Sequence, residues 1–182
     1  MIEDCSIKRK ILFTLLCVAA NYAGSCLARI FNLPLYLDSN LTIAVTFFCG
    51  LPYGLATAVL SNATLFIIDR KMIPFTLCHI TTALLAHLVS VIAKKKGEKI
   101  EMDSFIWAGI LSAVSNAILG TVISDAVFGS NTAENINNSV QAIYLAVPNL
   151  TFAVYFSGFL TNFADKLISA TLSFWVYKII KR

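Results

Sequence analysis

A chain of 182 residues with 58% apolar and only 13% charged side chains, a mean hydropathy of +0.77 and a formal charge of +4 has a membrane composition, since soluble domains run at roughly 25% charged. As a soluble domain it would lack the interior volume to bury its apolar runs. The positive balance does not point to nucleic acid either, because Lys and Arg gather at the ends of apolar runs and form no basic stripe interleaved with aromatics.

Lys8-Arg9-Lys10 followed by ILFTLLCVAA imitates a secretory signal, and Ala23-Gly24-Ser25-Cys26 imitates a lipoprotein cleavage site. Further membrane-length runs follow, so the first run reads as a retained span over 10–31, with Arg29 reaching to the interface. Next comes LPLYLDSN at 33–40, where Pro34 breaks the exit from span one and Asp38, Ser39 or Asn40 is placed to cap span two. Residues 41–68 as one helix would measure about 42 Å. The break at Gly50-Leu51-Pro52-Tyr53-Gly54 predicts two short spans instead, 40–49 and 53–68.

Asp69-Arg70-Lys71 closes that unit, Pro74 opens a span over 74–93, and Lys94-Lys95-Lys96-Gly97-Glu98-Lys99 ends it. Asp103 is placed to cap a span over 104–127, and GSNTAENINNSV at 129–140 reads as a polar loop. Residues 141–163 contain Pro148, Asn149 and Gly158 and read mostly as an outer helix or lid, giving an outer segment over 128–163. The last crossing then spans 164–180, starting near Asp165-Lys166; the alternative is one long bent final helix from about 145. The expected fold is all-α: a polytopic six-helix bundle forming one integral membrane domain over 1–182, with short second and third helices.

Charge sets the expected topology. With six crossings and both termini cytoplasmic, the inner side holds Lys8, Arg9, Lys10, Lys94, Lys95, Lys96, Lys99, Lys178, Lys181 and Arg182, ten of the fourteen basic residues. Arg29, Arg70, Lys71 and Lys166 stay outside, and the acids divide equally, which is the positive-inside pattern.

Polar residues inside the apolar runs then fall mostly toward the outer side: Asn62, His79, Asn116, Asp125, Asn149, Tyr155 and Asn162. Several such groups in one half suggest a cavity opening outward, because intramembrane polar groups are costly unless they face the bundle interior. Asn62 and Asn116 read equally as interhelical hydrogen-bond partners, and His79 as either a ligand contact or a satisfied structural histidine. Asp38, Asp165 and Lys166 form the expected rim. The helix N-terminus explains Asp165 but not Lys166, which calls for a partner such as Asp38 or Asp125, or an anionic ligand. Aromatics at Phe75, Tyr144, Phe152 and Tyr155 are placed to stack on a planar ring.

Ala19, Ala20, Ala23, Gly24 and Ala28 give small-xxx-small spacings in span one, suiting either an internal packing seam or a docking face. Catalysis finds little support, with no phosphate loop, no H-E-x-x-H and no nucleophile elbow. No metal-ligand spacing surrounds His79 or His87. The five cysteines (5, 17, 26, 49 and 78) lack C-x-x-C pairing and read as small buried hydrophobes.

Leu35-Tyr36-Leu37-Asp38-Ser39 in the first loop, the G-x-x-x-G of Gly50 and Gly54, Asn62 late in the third span, Asp165-Lys166 and the A-x-x-x-A of span one together resemble the substrate-binding S component of energy-coupling factor transporters. That resemblance implies capture of a vitamin-like micronutrient from outside, followed by docking on a transmembrane coupling subunit served by two cytoplasmic ATPases. Ala19 and Ala23 would match the docking face. No cofactor would reside in this chain, ATP and magnesium being used by the partners, and the location would be the bacterial cytoplasmic membrane. The Met-Ile start departs from the Met-His start of the nickel and cobalt branch. Two other readings share the architecture: a membrane sensory or scaffolding module, and a stand-alone ion-coupled carrier with Asp125 as its candidate group.

Overall fold

In the computed structural model, which describes residues 6–129 and 134–181, the regular elements are all helical. They are α1 (Ile7–Ile30), α2 (Thr42–Cys49), α3 (Leu51–Phe66), a 3₁₀ turn (Arg70–Phe75) running into α4 (Thr76–Lys95), α5 (Met102–Phe128), α6 (Glu134–Ala146) and α7 (Leu150–Ile180). Three units, α1, the stretch Arg70–Lys95 and α5, are long and apolar enough to cross a bilayer. The chain is a multi-pass, all-α membrane protein.

Through α5 the helix ends lie close to those expected from the sequence. The break between α2 and α3 falls at Gly50, whose φ of +96° suits a residue without a Cβ. Side-chain caps were misplaced, however: the residue preceding α2 is Leu41, not Asp38, Ser39 or Asn40, and α5 follows Glu101 with Asp103 inside its first turn.

The last third needs a larger correction. α7 is one continuous helix of 31 residues, so the outer segment over 128–163 and the separate crossing over 164–180 are overturned, and Asp165-Lys166 lies mid-helix. At ~1.5 Å per residue α7 is about 46 Å long, more than a hydrocarbon core of about 30 Å requires. The residues expected to interrupt it do not. Pro148 precedes the helix, and Asn149 caps it by accepting the Phe152 N–H at 3.0 Å. Gly158 permits close packing, since a Cβ there would stand 2.8 Å from Thr121 Oγ1 on α5. What remains of the expected lid is α6, which packs on α7; residues 130–133 of the polar loop lie outside the described residues.

The bundle has two chemically different ends. At one, Phe13, Phe47, Phe48, Phe105, Phe174 and Tyr177 join α1, α2, α5 and α7 through edge-on ring contacts, with Phe47 and Phe105 centroids 4.6 Å apart. Lys10 lies 5.9 Å from the Tyr53 ring at the start of α3, so α1 and α3 begin together. They also finish together, where Arg29 pairs with Asp69 at 3.2 Å; Arg29 thus has a specific partner. This second end holds the loop after α1, the start of α4 and the end of α5.

Between apolar lipid and apolar helices there is little hydrophobic drive, so close packing must hold the helices together. α5 and α7 share the most extensive contact in the bundle, and at its centre a Cβ on Gly109 would stand 2.9 Å from both Ala170 Cβ and the Lys166 carbonyl oxygen. Gly109→Ala is expected to lower stability by about 1–3 kcal/mol, because α7 backbone would have to move. Gly120→Ala, whose Cβ would meet nothing closer than Cys78 Sγ at 3.8 Å, should be neutral or stabilising by up to about 1 kcal/mol. Thermal unfolding of the two purified variants in one detergent checks the contrast.

Candidate functional site

The stretch 36–41 is irregular backbone inside the bundle, and its polar groups need partners there. α7 supplies them from one face, through Asp165, Ser169 and Ser173 at successive fourth positions. Asp165 Oδ1 accepts the N–H groups of Tyr36 (3.2 Å) and Leu37 (2.7 Å). Ser169 donates to Asn40 Oδ1 at 3.1 Å, and Ser173 donates to the Asn40 carbonyl at 2.7 Å while accepting the Ala44 N–H at 3.2 Å. From the other side Asn21 of α1 accepts the Leu41 N–H at 2.9 Å and donates to Ser61 at 3.0 Å. These contacts replace the missing cap of α2, whose eight residues are all buried.

Leu37 sits at φ +49°, a left-handed conformation costing a non-glycine residue about 1–2 kcal/mol. Its N–H is held by Asp165, and its carbonyl accepts Asn40 Nδ2 at 2.8 Å. Gly24 on α1 makes room for that carbonyl: a Cβ there would lie 2.5 Å from it.

Behind this loop lies a cluster of ionisable groups. Lys166 Nζ donates to Ser39 Oγ and Asp165 Oδ2, both at 2.6 Å, and stands 3.8 Å from Asp38 Oδ1. His79 Nε2 is 3.2 Å from Asp38 Oδ2 and therefore carries the proton that Asp38 accepts. The cluster borders a recess to which five elements contribute: the loop gives Tyr36 and Asp38, the 3₁₀ turn Met72 and Phe75, α4 Cys78 and His79, α5 Asn116 and Gly120, and α7 Asn162 and Lys166. The recess holds about 480 Å³ of space between atoms, mouth included, of which about 40 Å³ is wide enough for the centre of a water molecule. It is a slot rather than a chamber.

Of the residues singled out from sequence, Asp38, His79, Asn116, Asn162 and Lys166 come together at this slot, with Asp165 one hydrogen bond behind it. Asp38 and Lys166 are buried components of it, not an outer rim. The others lie elsewhere. Asn62 is buried between helices, donating to Thr76 Oγ1 at 2.9 Å. Asp125 is exposed near the end of α5, Asn149 is the α7 cap, and Tyr155 is 48% exposed on the outside of α7. Of the expected aromatics, Phe75 lines the slot, while Phe152 faces outward and Tyr144 borders a separate open groove beside α6. Ala19, Ala20 and Ala23 are exposed, whereas Ala28 is buried, so the small-residue stripe of α1 divides into an outward and an inward part. Cys17, Cys49 and Cys78 are buried and Cys26 is half-buried; Cys5 lies outside the described residues.

Sequence reasoning missed Asn21, Ser39, Ser169 and Ser173 as supports, and did not assign Tyr36 or Cys78 to the site. The Asp165, Ser169, Ser173 spacing was the available signal. Among the described residues no three His, Cys, Asp or Glu side chains form a group able to hold a metal ion. Comparison with protein-family models, curated proteins and solved structures gives no match to this chain.

Burial by itself raises the Asp38 pKa, but His79, Lys166 and Ser39 together outweigh it and hold the carboxyl below its ordinary 3.8. A depressed carboxyl contributes stability that is present above its unfolded value and lost as pH falls through the folded one. The Asp38 contribution to thermal stability should thus be level from about pH 7 to 5 and decline below about pH 4. Asp38→Asn should cost about 1–3 kcal/mol at neutral pH and flatten the acid limb. An unchanged acid limb in a pH series of melting curves would remove Asp38 as its source.

Proposed function

We propose that this chain is the substrate-capturing S component of an energy-coupling factor transporter, taking a vitamin-like ring from outside for ATP-driven uptake. The observation that carries the reading is the slot, where polar groups from four elements converge at one end of a membrane bundle. Two features support it. The described basic side chains Lys8, Arg9, Lys10, Lys94, Lys95, Lys96, Lys99, Lys178 and Lys181 belong to the aromatic end, against Arg29, Arg70 and Lys71 at the slot end. Lys166, counted outside in the sequence reading, is within the bundle. By the positive-inside rule this asymmetry favours a slot that opens outward with both termini cytoplasmic, as in the bacterial membrane proteins of that family.

The second feature is the exposed part of the small-residue stripe. Ala19, Ala20 and Ala23 give α1 a low outward surface on which a coupling subunit docks closely, and ATP hydrolysis belongs to the two cytoplasmic ATPases of the assembly.

Native mass spectrometry of the purified chain should reveal a retained small molecule. Ala19→Leu and Ala23→Leu should each reduce uptake by cells expressing the whole transporter at least tenfold, while leaving affinity of the isolated chain within about twofold, because neither position touches the slot. Normal uptake in both variants would defeat the docking assignment. A chain that neither retains nor binds any micronutrient would defeat the capture reading, and binding with no ATP-dependent uptake would mark a sensory or scaffolding module instead.

A further inference from the structure

Two side-chain atoms at the slot are buried without a hydrogen-bond partner among the described residues: His79 Nδ1 and Asn116 Oδ1. Their residues are 3% and 2% exposed, so water does not replace the missing partners cheaply. His79 Nε2 faces Asp38 at 3.2 Å, which leaves Nδ1 with no protein partner among the described residues. For Asn116 the chemistry of the free atom is fixed by what the residue does elsewhere. Asn116 donates through Nδ2 to Thr82 Oγ1 at 3.0 Å, and Thr82 gives its own proton to the Cys78 carbonyl at 3.0 Å, so the amide cannot be reversed and its free atom is the carbonyl oxygen. Asn162 also lines the slot and uses Nδ2 on the Gly158 carbonyl at 2.8 Å, so its remaining side-chain atom is likewise an acceptor oxygen.

Lys166 donates to Ser39 and Asp165 and stands 3.8 Å from Asp38, so its charge is matched within the cluster. Phe75, stacked on Phe128 with 17° between the rings, forms a flat side of the slot.

Resting on the capture reading, we infer that the ligand is a flat ring bearing at least two N–H donors, uncharged or singly positive, and not a carboxylate or phosphate. Its donors meet Asn116 Oδ1 and Asn162 Oδ1, and its face lies along Phe75. An anion would confront these amide oxygens, and the Lys166 ammonium that could have paired with it is already matched by Asp165 and Asp38. Lys166, which from sequence alone admitted contact with an anionic ligand, is instead neutralised internally.

The test uses the purified full chain and three ring probes of similar size: 2,4-diaminopyrimidine with donors, nicotinate as an anion, and pyrazine with acceptors alone. Saturation-transfer NMR and ligand-induced melting shifts should show diaminopyrimidine binding at least tenfold tighter than the other two. Asn116→Leu and Asn162→Leu, each first shown to be folded by circular dichroism, should weaken it at least fivefold. Nicotinate or pyrazine binding as well as diaminopyrimidine, or wild-type affinity in both variants, overturns the donor assignment while leaving capture standing. Should no probe bind, the molecule retained in native mass spectrometry decides: a neutral or cationic donor-bearing ring upholds the assignment, an anion overturns it, and no retained molecule removes both readings.

Discussion

Irregular backbone inside an apolar bundle must find a partner for every N–H and carbonyl, and here the Asp165 carboxylate answers that demand for the turn at Tyr36 and Leu37. Its two N–H acceptances join positions 129 and 128 residues apart in sequence. A carboxylate in such a place needs a counter-charge, and Lys166 next to it supplies one at 2.6 Å. The ammonium then reaches Ser39 and approaches Asp38, and Asp38 in turn holds His79 through Nε2 at 3.2 Å. The slot and the chemistry of its edge follow from how one loop is anchored.

The two ends of the bundle divide their tasks by residue type. Interlocked rings at the aromatic end can be packed densely with little polar surface to satisfy beyond the Tyr177 hydroxyl. At the other end, Ser, Asn, Asp and Lys side chains hold a loop and a short helix in fixed positions through directional bonds. Gly109 lets α5 and α7 meet between these regions, so Asn116 and Lys166 face the same slot from neighbouring helices.

The helical fold and the early helix limits were legible because apolar runs of membrane length, broken by Gly50 and closed by basic clusters, leave little choice. The final helix was misread because Pro148, Asn149 and Gly158 have two meanings: before or at a helix start, or against a close neighbour, they do not break it. At the slot, His79, Asn116 and Lys166 stood out as polar groups in apolar runs, whereas Asn62 and Asn149 have the same appearance and serve an interhelical bond and a cap. Serines were invisible individually, since a hydroxyl in a membrane helix usually bonds its own backbone; only the long-range partner, Asn40, gives Ser169 and Ser173 their meaning.

Gly24 places helix α1 and the site in mechanical contact. With no side chain between them, the α1 backbone rests against the Leu37 carbonyl, while Ala23 on the adjoining position faces outward. A neighbour pressing on that outward surface therefore pushes against the same rigid rod that backs the turn held by Asp165. The turn is already wound in a costly left-handed conformation, so it has a lower-energy backbone shape to relax into once either support is withdrawn.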